Sequence, residues 1–108
     1  MLEKTYKYSI TNEKVIEKIV EDEHAVIAHV ILPMGDSLPE HYSNSNTYMI
    51  ILKGEATVKL EDEAPNTYTA GDIANIGYNL KMNIKNSGSG NLELFMVKAP
   101  GPDSYLKK

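Results

Sequence analysis

The sequence predicts an all-β fold, an antiparallel sandwich or barrel built around one core. Three observations carry this. The apolar runs are short and rich in β-branched residues, and Gly, Pro, Asn and Ser clusters separate them. Two stretches, Glu55–Leu60 and Lys81–Lys85, alternate polar and apolar residues as a half-buried strand does. Helical periodicity is almost absent, and no internal repeat marks a solenoid.

Each element follows from its local pattern. Val15–Val20 is short and β-branched, which favours a strand over a turn of helix. The charged turn Glu21-Asp22-Glu23 leads to His24–Leu32, which is apolar on both parities and therefore covered on both faces. Pro33-Met34-Gly35-Asp36 stops it. Tyr48–Lys53 is the next apolar run, ended by Gly54. Glu55–Leu60 sets Ala56, Val58 and Leu60 on one face, and Glu61–Asn66 is a polar turn. Tyr68-Thr-Ala-Gly71-Asp72 introduces Ile73–Ile76. Lys81–Lys85 sets Met82 and Ile84 on one side, Asn86–Asn91 is a strand-joining turn, and Leu92–Val97 is the last strand. The tail 99–108, with two prolines and a glycine, is expected to be irregular.

Composition narrows the classes of function. A chain of 108 residues is one domain, with its core over about 15–97. With no cysteine, disulfides, thiolate metal sites and cysteine nucleophiles are excluded. The formal charge of -4 disfavours nucleic acid and anionic membranes as partners. All cationic residues are lysines, so no guanidinium fork is available to clamp a phosphate or carboxylate. No apolar run reaches the roughly 20 residues of a membrane span, and the N-terminal residues lack a signal-peptide core. A cytoplasmic location is the default expectation.

One spacing is more specific. Gly35, His41 and Gly54 stand in register with the first signature of the cupin barrels, in which His-x-His and a glutamate lie between two glycines. Ser43 occupies the second histidine position and Thr47 the glutamate position. Gly71 and Asn86 end the second signature, with Gly77, Asn79 and Met82 where the family has proline, glycine and histidine. The chain thus resembles a small single-domain cupin with a degenerate metal site. That resemblance implies a double-stranded β-helix, or jelly roll, with a site inside the barrel.

Carried over, the family's metal ligands fall on His41, Ser43, Thr47 and Met82. A hydroxyl is a poor ligand, and a thioether does not suit hard divalent ions. One imidazole does not hold a transition metal against water, so no cofactor is expected. A divalent metal enters only if His29, upstream on a strand whose inward face is undetermined, reaches His41. His41 otherwise reads as a half-buried neutral histidine or as a ligand-binding or acid–base group. His24, beside the acidic turn, reads as solvated.

In the family frame the interior would be a pocket with an apolar floor (Met49, Ile51, Met82, Ile84) and polar groups (His41, Ser43, Thr47). It suits a small uncharged or weakly polar organic ligand, unless these residues simply fill the barrel. The polar run Tyr42–Tyr48 would form its mouth or satisfy its own backbone. Tyr48, Ile50 and Leu52 face away, and by family analogy such a strip pairs two barrels into a homodimer. Three functions stay open: a metal-free binding module, a metal-independent isomerase or epimerase with His41 as base and Tyr42, Tyr48 or Tyr78 as acid, and a metal-dependent oxygenase or isomerase with a rebuilt site.

Overall fold

The computed structural model describes residues 2–106 and contains two antiparallel sheets. The strands are β1 (Val15–Glu21), β2 (Val26–Leu32), β3 (His41–Tyr42), β4 (Thr47–Lys53), β5 (Glu55–Leu60), β6 (Asn66–Thr69), β7 (Ile73–Ile76), β8 (Lys81–Asn86) and β9 (Leu92–Lys98). One sheet runs β1-β2-β9-β4-β7 and the other β3-β8-β5-β6. Consecutive strands repeatedly cross between the sheets, as in a jelly roll. The tail, expected to be irregular, instead ends in one short helical turn, α1 (Asp103–Leu106). Residues 107–108 of the expected tail lie outside the described residues. Among the described residues no helix is long and apolar enough to cross a membrane.

The strict alternations hold in space. Ala56 and Val58 of β5, Met82 and Ile84 of β8, and Leu92, Leu94 and Met96 of β9 point into one core with Val30, Leu32, Met49 and Ile51. Strand parity therefore sets the barrel interior in both sheets. The three turn glycines of the family frame, Gly35, Gly54 and Gly71, all take positive φ. Gly54 has a second constraint: a Cβ there would sit 2.4 Å from the Asn91 carbonyl oxygen. Any side chain would push the β4–β5 turn off the start of β9.

β2 shows why parity alone does not identify the inner face. Ala28, Val30 and Leu32 pair with Met96, Leu94 and Leu92 and point inward. His29 and Ile31 are also buried, but on the outer face, where Tyr8 of the N-terminal segment packs against His29. Both parities are apolar because both faces are covered.

Candidate functional site

The structure separates the histidines. His29 pairs with Phe95 across β2 and β9 and with Glu17 across β1 and β2, so all three lie on the outer face. The proposed approach of His29 to His41 is therefore corrected, because the wall of the barrel lies between them. His29 is fully buried; Nδ1 hydrogen-bonds Glu17 Oε2 at 2.7 Å and Nε2 hydrogen-bonds Glu93 Oε2 at 2.6 Å. Its ring lies 4.7 Å from Tyr8 and 5.1 Å from Phe95. Glu17 also accepts from the Ser9 backbone N–H and hydroxyl. These bonds, that of the Ser9 N–H first, hold its carboxyl below the usual range. The cluster clasps the N-terminal segment to the sheet. Its carboxylates sit on opposite edges of one ring, which no single ion bridges.

His41 is exposed on the edge strand β3, opposite Met82. Its Nδ1 donates to the Pro39 carbonyl at 2.8 Å. Ser43 is buried, and its hydroxyl donates to the Gly77 carbonyl and accepts from the Leu80 N–H at 2.9 Å. Its backbone meets the same loop through Leu80 O at 2.8 Å and Asn79 N at 2.7 Å. Thr47 is buried and donates to the Ser45 carbonyl at 3.0 Å. Met82 lies in the packed core. These four groups do not fit a divalent metal: two hydroxyls already bond the backbone, one sulfur is sealed in, and one imidazole stands alone. Among the described residues no group of three or more His, Asp or Glu is placed to hold an ion.

The expected interior pocket is also corrected. Met49, Ile51, Met82, Ile84 and Thr47 are each no more than 2 % exposed, so no water-sized space borders them, and Ser43, equally buried, only edges the mouth. Mutual packing of long apolar side chains fills a barrel this small. One open space, among several on the surface, lies at its mouth instead.

That space is a groove of about 210 Å³. Tyr42, Ser43 and Asn44 come from β3 and the residues after it, Tyr78 and Asn79 from the β7–β8 turn, and Pro102 and Tyr105 from the tail. No lining residue carries a charge. The Ser43 clamp places Tyr78 and Asn79, and Asn79 takes a φ of 62°, which asparagine tolerates well. The Ser45-Asn46 pair ties down the tail. Ser45 Oγ donates to the Pro100 carbonyl, Asn46 Nδ2 to the Ala99 carbonyl at 3.1 Å, and the Asn46 N–H to the Tyr105 hydroxyl at 3.3 Å. The rings of Tyr78 and Tyr105 stack at 4.2 Å and 13°. The polar run thus both bonds its own surroundings and supplies part of the mouth. Sequence reasoning reached Tyr42 and Asn44 but missed Pro102 and Tyr105, since nothing local ties a C-terminal tail to residues more than fifty positions away.

No family model matches the chain. A curated relative is an uncharacterised protein of Methanocaldococcus jannaschii, 48 % identical over 103 residues, covering 94 % of this chain and 89 % of that one. A solved structure from the same organism, described as an RmlC-like cupin family protein with a double-stranded β-helix fold, superposes with a TM-score of 0.94. It is 46 % identical, with 98 % of each chain covered. This chain belongs to the cupin family. More distant cupins share the fold. A Desulfitobacterium hafniense cupin superfamily protein has a TM-score of 0.71 at 17 % identity, covering 86 % of this chain and 83 % of its own. The Schizosaccharomyces pombe Cnp3 cupin domain has 0.73 at 18 %, covering 85 % and 64 %.

Proposed function

We propose that this cupin binds a small uncharged or weakly polar organic molecule, without the family's usual metal, in the tyrosine-lined groove at the mouth of its barrel. The observation that carries the reading is the pairing of an uncharged aromatic groove with family metal positions whose polar atoms serve the fold. An apolar lining with a few amides orients a small ligand by shape and one or two hydrogen bonds. Thermal shifts across a metabolite panel, with and without EDTA, test it. Stabilisation insensitive to EDTA and lost in Tyr78→Ala supports the reading. Stoichiometric Fe, Mn, Ni or Zn in protein purified without chelator would overturn its metal-free part.

A second reading is a metal-independent isomerase or epimerase. One observation favours it: the His41 Nδ1–H donates to Pro39, so in the neutral ring Nε2 is the acceptor, as a general base requires. His41→Gln would then abolish turnover of a bound ligand while leaving its affinity within about 3-fold. As part of the same proposal two copies pair through the outer face of the five-stranded sheet. There Tyr48, Leu52 and Ile73 are exposed beside an apolar groove lined by Ile27, Ile50, Phe95 and Val97. A cytoplasmic home and the absence of nucleic-acid or membrane partners belong to this proposal; the acidic, cysteine-free composition supports them.

A further inference from the structure

The tail is firmly held as far as Gly101 and lightly held beyond it. The Ala99 N–H donates to the Asn46 carbonyl, the Ala99 carbonyl accepts from the Asn46 side-chain amide, and the Pro100 carbonyl accepts from Ser45. Gly101 is buried so closely that a Cβ would lie 2.9 Å from the Asp22 carbonyl oxygen. Past that point the backbone bonds of α1 are internal, Ser104 N–H to Gly101 and Tyr105 N–H to Pro102. Among the described residues, residues 102–105 are tied back to the barrel by one 3.3 Å hydrogen bond from the Asn46 N–H to the Tyr105 hydroxyl and by the Tyr78–Tyr105 stack. Gly101 is thus a fixed point and Tyr105 the end of a short lever.

Two further facts bear on what enters the groove. A parallel stack at 4.2 Å leaves no room for a ring between the two tyrosines, so a ligand ring reaches that face of Tyr78 only by replacing Tyr105. The groove also shares Asn44 and Pro102 with a second one lined by Glu21, Asp22, Glu23 and Asp103, with Lys18 and His24 as its cationic or titratable neighbours. The Ala25 and His24 backbone N–H groups hold the Asp22 carboxyl below its ordinary range, so it is ionised near neutrality. An acidic flank repels anions.

We propose that Tyr105 is the chain's own occupant of a stacking place on Tyr78, and that the ligand of this groove is a planar aromatic ring without negative charge that displaces it. The proposal rests on the binding reading above and adds the ligand's class and the competitor built into the tail. Because Tyr105 competes, the apparent affinity is lowered by the fraction of time it occupies the site. The surrounding amides, Asn44 and Asn79, offer donors and acceptors to a polar edge of such a ring.

Three probes separate the terms: nicotinamide (planar, neutral), nicotinate (planar, anionic) and cyclohexanecarboxamide (saturated, neutral). Affinities are read by NMR titration on the full chain, its Tyr105→Ala variant and its Tyr78→Ala variant. Nicotinamide is expected to bind Tyr105→Ala about 2- to 10-fold more tightly than wild type and to lose binding in Tyr78→Ala. Nicotinate and cyclohexanecarboxamide are expected to bind more weakly than nicotinamide in every form. On the wild-type chain, saturating nicotinamide is expected to erase the nuclear Overhauser contacts between the Tyr78 and Tyr105 rings, a readout that needs no variant to fold. Unchanged or weaker binding by Tyr105→Ala, with the ring contacts intact, overturns the proposal. So does equal binding of the saturated probe at the mouth, although the binding reading then stands. If nicotinamide does not bind, the proposal also falls, whereas the binding reading fails only if the whole metabolite panel is silent.

Discussion

Ser43 occupies a family ligand position but acts here as a clamp, and Ser43→Ala tests that role directly. The substitution removes one oxygen and creates almost no cavity, so packing contributes little to its cost. What is lost is the bond to the Gly77 carbonyl and the bond from the Leu80 N–H. Each contributes about 1 kcal/mol, and a buried partner left unpaired costs about 1–3 kcal/mol. Gly77 and Leu80 are only half-buried, so water partly compensates both. The low end applies, about 2 kcal/mol in total. For 108 residues, an unfolding entropy of about 2.1 cal/mol/K per residue converts this into a Tm lower by about 9 °C. Differential scanning calorimetry measures it, with the exposed turn variant Ser89→Ala as a control expected within about 0.5 kcal/mol of wild type. The clamp also places Tyr78 and Asn79, so ligand affinity should fall with the Tm. A Ser43→Ala protein that melts within 2–3 °C of wild type (about 0.5 kcal/mol) would refute the clamp.

Three further outcomes are expected. Glu17, Asp22 and Asp36 have carboxyls held below their ordinary values of 4.5, 3.8 and 3.8, chiefly by hydrogen bonds from the Ser9 N–H, the Ala25 N–H and the Lys14 ammonium respectively. A depressed folded pKa contributes stability above the unfolded value that is lost as pH falls through the folded one. Thermal melts should therefore weaken on acidification below about pH 5, and Asp22→Asn with Asp36→Asn should flatten that limb; an unchanged limb contradicts the assignment. His29→Ala removes the hydrogen-bonding ring between Glu17 and Glu93 and beside Tyr8, so it should lower Tm and expose the Ser9 amide to hydrogen exchange. Retained Ser9 protection would show that the clasp does not hold the N-terminal segment. Light scattering at tens of micromolar should give twice the chain mass, and Ile50→Lys with Ile73→Lys should give the monomer; a monomeric wild type removes the pairing proposal.

The relation between pattern and structure differs from element to element. Glu55–Leu60 and Lys81–Lys85 were legible because alternation records a strand with one wet and one dry face, and both strands have that environment. The turn glycines were legible because positive φ is a backbone demand met at a single position. The loss of the usual metal ligands could be read from residue types alone, since a hydroxyl or thioether is a weak donor to hard divalent ions wherever the chain places it. The interior pocket was misplaced because strand parity tells which side chains converge but not whether they leave space between them.

The linear order of residues by itself determined the all-β class, the boundaries of seven strands within a few positions (not β3, nor β6, whose first residue was read as part of a turn), the cupin spacing and the degenerate ligand set, because each depends on chemistry within a few neighbours. Only the tertiary structure decided that His29 lies outside the barrel between Glu17 and Glu93. Both parities of its strand are apolar, and the covering residues come from the distant N-terminal segment and from β9. Only the tertiary structure brought Tyr105 against Tyr78, through bonds spanning more than fifty residues from Ser45 and Asn46 to the tail. Such contacts exist only once the chain has closed its long loops, and no local pattern encodes them.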